Sequence, residues 1–193
     1  MLARDARVGV VGAGAMGTEI AFSFALAGFQ VLVYDNDAEK LESLALRSAA
    51  IYDKGIDRGL YKAENQVSVL GSITRAKNIA NFQACDLVTE AVFEKEDVKA
   101  TILQELDKTC NPDCILATNT STIPISVLSS YVSEQRRPLF IGTHYFSPAS
   151  RMKLVEVIPG ILTSPNTITF VTASHAGAGK TAHSSEGRAG LRC

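Results

Sequence analysis

The strongest constraint on the fold is the order of short patterns in the first 35 residues. An apolar, β-branched run at residues 7–11 precedes the turn GAGAMG, after which Ile20, Phe24 and Ala27 recur at helical spacing. Gly28 can end that helix, and QVLVYD, which follows, is again rich in β-branched residues. These patterns predict a strand, a tight turn, a helix and a second strand. The two strands of such a βαβ unit pair in parallel.

The same alternation continues along the chain. Helices are predicted at about residues 38–59, in EDVKATILQELDKT and, as a short element, in IPISVLSSYV. Strands are predicted in QVSVLGSI, CDLVTEAV, CILATNTS, LFIGTHYF and KLVEVI. Nearly continuous apolar strands are typical of a sheet covered on both faces. The sequence therefore predicts an α/β fold with a doubly wound, mostly parallel, Rossmann-like sheet and ligands at the carboxyl ends of its strands.

The composition changes near residue 172. The segment TASHAGAGKTAHSSEGRAGLRC is rich in Gly, Ala and Ser and has neither strand nor helix periodicity. It predicts a poorly ordered tail at residues 173–193 after a dinucleotide-binding domain at residues 1–172. A phosphate-binding P-loop is not predicted, because the motif needs glycine where Ser174 stands. His175 and His183 in this segment receive no functional assignment.

Charge and cysteine content narrow the class of partner. Nineteen basic side chains against twenty acidic ones leave a net charge of -1, so neither nucleic acid nor an acidic membrane is expected. The four cysteines, Cys85, Cys110, Cys114 and Cys193, lack paired CxxC spacing, and no histidine lies near Cys110 and Cys114. We expect reduced thiols and no metal. No apolar run suits a signal peptide or a membrane span, so a cytoplasmic location is expected.

The glycine turn has the context of a dinucleotide site. Gly12, Gly14 and Gly17 lie between a predicted strand and a predicted helix. The first permits a sharp turn, the second lets a pyrophosphate approach the backbone, and the third lets the helix pack closely. Asp35 ends the second strand with no arginine beside it, which favours the ribose of NAD over the 2'-phosphate of NADP. FAD uses the same glycine pattern. Alternatively, the glycines only form a turn and Asp35 caps the next helix.

Four motifs carry a family resemblance. VGVVGAGAMGTEIA, DLVTEAVFEKEDVK, ATNTSTIPIS and IGTHYFSPASRMKLVEVI resemble, in this order, the amino-terminal domain of 3-hydroxyacyl-CoA dehydrogenases over about residues 7–172. The last two are more specific than the glycine turn. Dehydrogenases of short hydroxy acids, including the L-gulonate dehydrogenases, share much of the pattern. The resemblance implies NAD-dependent oxidation of a 3-hydroxyacyl-CoA thioester to the 3-ketoacyl-CoA in fatty acid metabolism and β-oxidation.

The resemblance also implies a catalytic group. His144 matches the family's base, Glu156 matches the carboxylate that partners it, and Ser121 matches the serine that hydrogen-bonds the substrate oxygen and the histidine. Alcohol oxidation requires removal of the hydroxyl proton, for which a neutral imidazole is suited. A carboxylate on its other nitrogen selects the tautomer and stabilises the imidazolium. By itself, a histidine at a strand end is more often a structural residue, and a serine there often caps a helix.

Three further residues match cofactor positions of the family. Asn119 matches a residue near the nicotinamide side of the site, and Glu94 and Lys99 match positions beside the cofactor. The alternative for Glu94 and Lys99 is the solvated start of a helix.

The resemblance stops near Lys180. Family members continue with a helical second domain that supplies an active-site asparagine, much of the acyl-CoA pocket and the usual dimer surface. The residues GKTAHSSEGRAGLRC do not match it, so we expect this domain and its dimer contacts to be absent. A second function therefore stays open, which is a truncated, non-catalytic NAD-binding module that closes poorly around substrate.

Overall fold

In the computed structural model, which describes residues 6–184, eight strands form one sheet in the order β3-β2-β1-β4-β5-β6-β7-β8. The strands are β1 Arg7–Val11, β2 Gln30–Tyr34, β3 Ile73–Arg75, β4 Leu87–Glu90, β5 Ile115–Thr118, β6 Phe140–Tyr145, β7 Leu154–Pro159 and β8 Thr181–Ser184. All neighbours pair in parallel except β6 and β7, which are antiparallel. The predicted α/β fold with a mostly parallel sheet is confirmed.

Within residues 6–184, seven α-helices connect the strands. They are α1 Ala15–Leu26, α2 Ala38–Glu42, α3 Leu44–Asp57, α4 Gln66–Gly71, α5 Glu96–Thr109, α6 Ile125–Leu128 and α7 Pro165–Gly177. Short 3₁₀ helices occupy Ala63–Asn65, Ile79–Ala84, Ser129–Tyr131 and Arg137–Leu139. Side-chain oxygens start two of the α-helices, since Asp37 caps α2 and Ser164 caps α7.

The core lies on both faces of the sheet. Successive residues of a strand point to opposite faces, so Val10 joins one apolar cluster and Val11 the other. The first cluster includes Ile20 of α1 and Val171 of α7, and the second includes Leu103 of α5. Helices therefore cover both faces, as in a doubly wound sheet.

Several strands of the sheet end next to each other. Strands β1, β2, β4, β5 and β6 are parallel, so their carboxyl ends lie side by side. Strand β7 runs back along β6, and its register pairs Glu156 with His144. Facing residues of an antiparallel pair lie on one side of the sheet, which brings these two side chains together.

Two predicted elements differ in the structure. The strand predicted in QVSVLGSI is wrong for residues 66–71, which form helix α4, and only residues 73–75 are strand. Val69 packs on the first apolar cluster while Val67 is exposed, so tertiary contacts outweigh the strand propensity of valine. The long helix predicted at residues 38–59 is divided at Ser43 into α2 and α3.

The poorly ordered tail is a wrong prediction for residues 173–184. Helix α7 extends to Gly177, and strand β8 pairs in parallel with β7. The composition misleads because Ser174 and His175, both polar, take fully buried positions. Residues 185–193, including Cys193, lie outside the described residues, as does the amino-terminal stretch 1–5.

The cysteines within residues 6–184 are packed into the core. Cys85, Cys110 and Cys114 are free and buried. Residues 6–184 contain no group of three or more His, Cys, Asp or Glu side chains placed to hold a metal ion. Within the same range, every helix is too short or too polar to cross a membrane.

Candidate active site

The glycine turn between β1 and α1 is shaped as predicted. Gly12 has a φ of 107°, and a Cβ there would lie 2.5 Å from the carbonyl oxygen of Ala91. A Cβ on Gly17 would lie 1.8 Å from the carbonyl oxygen of Gly12. Around a Cβ on Gly14, by contrast, no atom lies within 4 Å. The first and third glycines are therefore required by packing, and the second leaves the backbone open to a ligand.

The amino end of α1 can receive an anion. Gly14 is the N-cap, and no side chain caps its N–H groups. Free amide groups at a helix start favour a pyrophosphate. This local geometry fits the phosphate part of a dinucleotide.

Asp35 lies at the end of β2 beside that turn. Its Oδ2 accepts from the amide of Ala13 at 2.7 Å, and its Oδ1 accepts from the amide of Asp37 at 2.9 Å. Helix α2 is capped by Asp37 and not by Asp35, so the capping alternative is wrong. Each Asp35 oxygen retains a lone pair for a ribose hydroxyl.

A pocket of about 440 Å³ joins these groups. Its lining includes Gly12, Gly14 and Asp35, together with Val92 and Lys40. Lys40 is a cation near the predicted ribose position, because it lines the same pocket as Asp35. Its Nζ lies 3.2 Å from Asp37, so a carboxylate already balances this ammonium.

The imidazole of His144 makes a directed contact on each side. Its Nδ1 lies 2.9 Å from Oε2 of Glu156, and its Nε2 lies 3.3 Å from Oγ of Ser121. A carboxylate can only accept, so in the neutral form of the imidazole Nδ1 carries the proton and Nε2 keeps a lone pair. The ring of Phe146 packs at 4.8 Å between centroids. The side chains of His144 and Glu156 are 23% and 39% exposed, so solutes can reach this pair.

Ser121 lies in the turn after β5. Helix α6 begins only at Ile125, with Pro124 before it, so Ser121 is not its cap. The serine amide donates to Oε1 of Glu94 at 2.8 Å. Next to it, Asn119 accepts from the amide of Tyr145 at 3.2 Å through its side-chain oxygen. The structure thus brings Ser121, Asn119 and the end of β6 together.

Glu94 and Lys99 take different places. The Glu94 side chain is 34% exposed, whereas that of Lys99 is fully buried, so the solvated alternative is wrong for Lys99. Lys99 Nζ lies 2.8 Å from Oε1 of Glu90, whose side chain is also fully buried. Contact of Lys99 with a cofactor stays a prediction.

Glu90 is a residue that sequence reasoning missed. It ends the apolar strand β4, and its carboxylate accepts from Thr118, Val92 and Lys99. Burial raises the pKa of Glu90, against the opposing effect of the Lys99 charge. An acidic residue inside an otherwise apolar strand, with a lysine nine positions later, was the available signal.

The carboxylate of Glu94 behaves differently from that of Glu90. Burial alone would raise the pKa of Glu94. Hydrogen bonds from Thr120, Ser121 and Thr122, with the charge of Lys99, outweigh burial and lower this pKa. Glu94 is therefore held as an anion at neutral pH.

A known protein family matches most of the chain. The sequence model for "3-hydroxyacyl-CoA dehydrogenase, NAD binding domain" matches residues 7–185. The cofactor of such a domain is NAD, and its relatives are dehydrogenases.

Solved structures of similar proteins show the same fold. The (S)-3-hydroxybutyryl-CoA dehydrogenase of Ralstonia eutropha is 33% identical, with a TM-score of 0.88 over 92% of this chain and 62% of its own. The 3-hydroxybutyryl-CoA dehydrogenase of Escherichia coli is also 33% identical, with a TM-score of 0.88 over 93% of this chain and 38% of its own. FadB2 of M. tuberculosis is 31% identical, with a TM-score of 0.89 over 96% of this chain and 66% of its own. This chain thus spans less than two thirds of each relative.

Proposed function

The chain belongs to the 3-hydroxyacyl-CoA dehydrogenase family, and we propose that it acts in the NAD-dependent oxidation of a 3-hydroxyacyl-CoA thioester to the 3-ketoacyl-CoA. The observation that carries this proposal is the contact pattern of His144. Its Nδ1 is held by Glu156 at 2.9 Å while its Nε2 is turned to Ser121 at 3.3 Å. One nitrogen is thereby oriented and the other is available to a substrate hydroxyl.

Proton removal follows from this orientation. The lone pair on Nε2 of His144 takes the proton of the substrate hydroxyl, and the Glu156 carboxylate stabilises the imidazolium that forms. The Ser121 hydroxyl binds the same substrate oxygen and holds it beside Nε2. Bound NAD would supply the acceptor for the hydride of the carbinol carbon.

The glycine turn and Asp35 would hold the cofactor. The open backbone at Gly14 and the first turn of α1 would bind the pyrophosphate. Asp35 would accept from the adenosine ribose, which disfavours a 2'-phosphate at that position. Asn119 and Glu94 contact the end of β6 and the Ser121 turn, which supports assigning them to the side of the site where the nicotinamide would bind.

The biological setting belongs to the same proposal. We assign the activity to fatty acid β-oxidation in the cytoplasm, with an acyl-CoA thioester as substrate and with neither membrane nor nucleic acid as partner. The names of the similar dehydrogenases support the thioester. The near-neutral charge supports the absence of nucleic acid.

The exposure of the catalytic pair favours a second candidate. Glu156 is 39% exposed, so water reaches the carboxylate that should stabilise the imidazolium. An NAD-binding module with little or no turnover has this property, because solvent weakens the pair and leaves the substrate poorly held.

An activity assay separates the two candidates. Purified chain is mixed with NAD and 3-hydroxybutyryl-CoA, and NADH absorbance is followed. We expect turnover that falls by at least about 10²-fold in His144→Ala, because general-base catalysis contributes about 10² to 10⁴. Glu134→Gln, at an exposed turn position, is the control and keeps the rate.

NAD titration of the same variants completes the assay. All of them should bind NAD alike, since the glycine turn is untouched. Turnover that survives in His144→Ala contradicts the base assignment. Saturable NAD binding without turnover in the unmodified chain supports the second candidate.

A further inference from the structure

A polar cluster formed by the buried side chains of Glu90 and Lys99 and the partly exposed side chain of Glu94 lies next to the turn that carries Ser121. We call it the Lys99 cluster. Lys99 Nζ lies 2.8 and 3.1 Å from the two oxygens of Glu90, 2.9 Å from the carbonyl oxygen of Asn119 and 3.3 Å from Oε2 of Glu94. An ammonium has only three protons, so these four acceptors use its donor capacity in full.

The Glu94 carboxylate organises the Ser121 turn. Its Oε1 accepts from Thr120 Oγ1 at 2.5 Å, from the Ser121 amide at 2.8 Å, and from the Thr122 amide and hydroxyl at 3.2 Å each. This turn lies between β5 and α6, outside any strand or helix that would satisfy its amides. A single carboxylate oxygen therefore takes the place of secondary structure as the acceptor for the turn.

The remaining contacts brace Glu94 from below. Its other oxygen, Oε2, faces Lys99, which is fixed by Glu90. Glu90 is itself held by Val92 N at 2.7 Å and Thr118 Oγ1 at 2.6 Å. The chain of contacts thus runs from the ends of β4 and β5 to the backbone amide of Ser121. Lys99 contacts both carboxylates, so the loss of any one of the three groups changes the contacts of the others.

We propose that Glu94 is a positioning residue for Ser121, whose hydroxyl it holds 3.3 Å from Nε2 of His144 through the bonds to residues 120–122, with Lys99 and Glu90 as its support. This inference rests on the proposed function and assigns Glu94 a role apart from cofactor contact. Loss of the carboxylate releases the turn, and the substrate hydroxyl then loses its alignment with the base. A misplacement of about 1 Å costs about 10²-fold in rate.

The first test uses kinetics and a double-mutant cycle. Glu94→Ala should lower kcat by about 10²-fold and change the Kd for NAD by less than about threefold. In a Ser121→Ala background the same change should cost little more, because the two residues act as one unit. Glu96→Gln is the control, since Glu96 accepts an exposed hydrogen bond from the Tyr131 hydroxyl and does not contact the Ser121 turn. Additive losses overturn the proposal, as does a large rise in the NAD Kd with kcat unchanged.

The second test needs no turnover. Amide hydrogen exchange at Ser121 should be slowed by its bond to Glu94, and Glu94→Ala should speed it by about tenfold, the equivalent of one charge-assisted hydrogen bond. Glu96→Gln should leave it unchanged. Exchange at Ser121 that is the same in Glu94→Ala and the unmodified chain overturns the proposal even if the chain is inactive. Faster exchange in a chain without turnover supports the positioning role and counts against the proposed activity alone.

Discussion

His144 and His175 lie on opposite faces of strand β6, and their surroundings differ in almost every respect. His144 belongs to the strand itself, is 23% exposed and faces the Glu156 carboxylate. His175 lies in α7 and is fully buried. It accepts a hydrogen bond of 2.6 Å from the hydroxyl of Tyr145, the residue directly after His144. The end of β6 thus carries one imidazole on His144 and bonds the other through the next residue, Tyr145.

The difference lies in the charge that each pocket can accept. The Nδ1 of His175 meets the carbonyl oxygen of Val171 at 2.8 Å, so it carries the proton, and Nε2 accepts from Tyr145. Both partners are neutral. Burial lowers the pKa of His175 to about 4, and the nearby charge of Lys180 acts in the same direction. His144 has an anion on one side and an accessible nitrogen on the other, which is the arrangement that a base requires.

The sharpest way to break this comparison is to remove the anion at His144. In Glu156→Gln an amide replaces the carboxylate, so nothing negative stabilises the imidazolium and the tautomer is no longer selected. We expect kcat to fall by about 10³-fold, which is about 4 kcal/mol, with the Kd for NAD unchanged. NADH formation and NAD titration measure the two quantities.

The control for this change is Glu134→Gln, at an exposed position. It should leave kcat unchanged. A loss of less than about tenfold in Glu156→Gln would show that the carboxylate contributes little, and that exposure to water outweighs the 2.9 Å contact.

The second prediction concerns pH and His175. Its folded pKa of about 4 lies below the ordinary value of 6.5, so the unfolded chain binds a proton first as the pH falls. The contribution of His175 to stability is complete above about pH 6.5 and is lost as the pH falls towards about 4. The loss is about 3 kcal/mol, because each pKa unit corresponds to about 1.4 kcal/mol.

Urea unfolding between about pH 7 and pH 4 measures this loss. Carboxylates titrate in the same range. The free energy of unfolding is therefore plotted against pH for the unmodified chain and for His175→Gln, and the slopes of the two plots are compared. The variant should lack the contribution of about 3 kcal/mol. Equal slopes in both proteins would mean that His175 accepts a proton without disturbing the core, and the contrast with His144 would fail.

The exposed half of this comparison, the site around His144, could be predicted from the sequence. The buried half, the site around His175, could not. His144, Glu156 and Ser121 belong to sequence motifs, and in the structure His144 is in hydrogen-bond contact with each of the other two. The glycine turn also followed from local chemistry, since only glycine fits at Gly12 and Gly17.

The buried half depends on contacts that leave no local pattern. Tyr145 and His175 are 30 positions apart, and the segment around His175 has the composition of a loop. Helix α4 was missed for a similar reason, because its valines resemble a strand until their packing is known. Glu90 and Lys99 are close in sequence, yet their burial depends on the covering of β4 by α5. Long-range packing decided these three features.

The smallest expected effect is that of a change at Tyr145, the residue that follows His144 and bonds His175. Tyr145→Phe removes only the hydroxyl, so Nε2 of His175 loses its donor inside a fully buried site. We expect a stability loss of about 1–2 kcal/mol, the usual cost of an unsatisfied buried polar atom, measured by urea unfolding at neutral pH. Tyr131→Phe removes an exposed hydroxyl bonded to Glu96 and should cost less than about 0.5 kcal/mol.

The same variant tests whether the two faces of β6 are independent. The amide of Tyr145 donates to Asn119 whether or not the hydroxyl is present, so the strand end should keep its place beside the active site. Tyr145→Phe should therefore retain kcat within about twofold while losing stability, since sites without shared partners contribute independently. A fall in kcat as large as that of Glu156→Gln would show that His175 acts on His144 through the strand. The two imidazoles would then form one unit, and the distinction between a base and a core residue would no longer describe them.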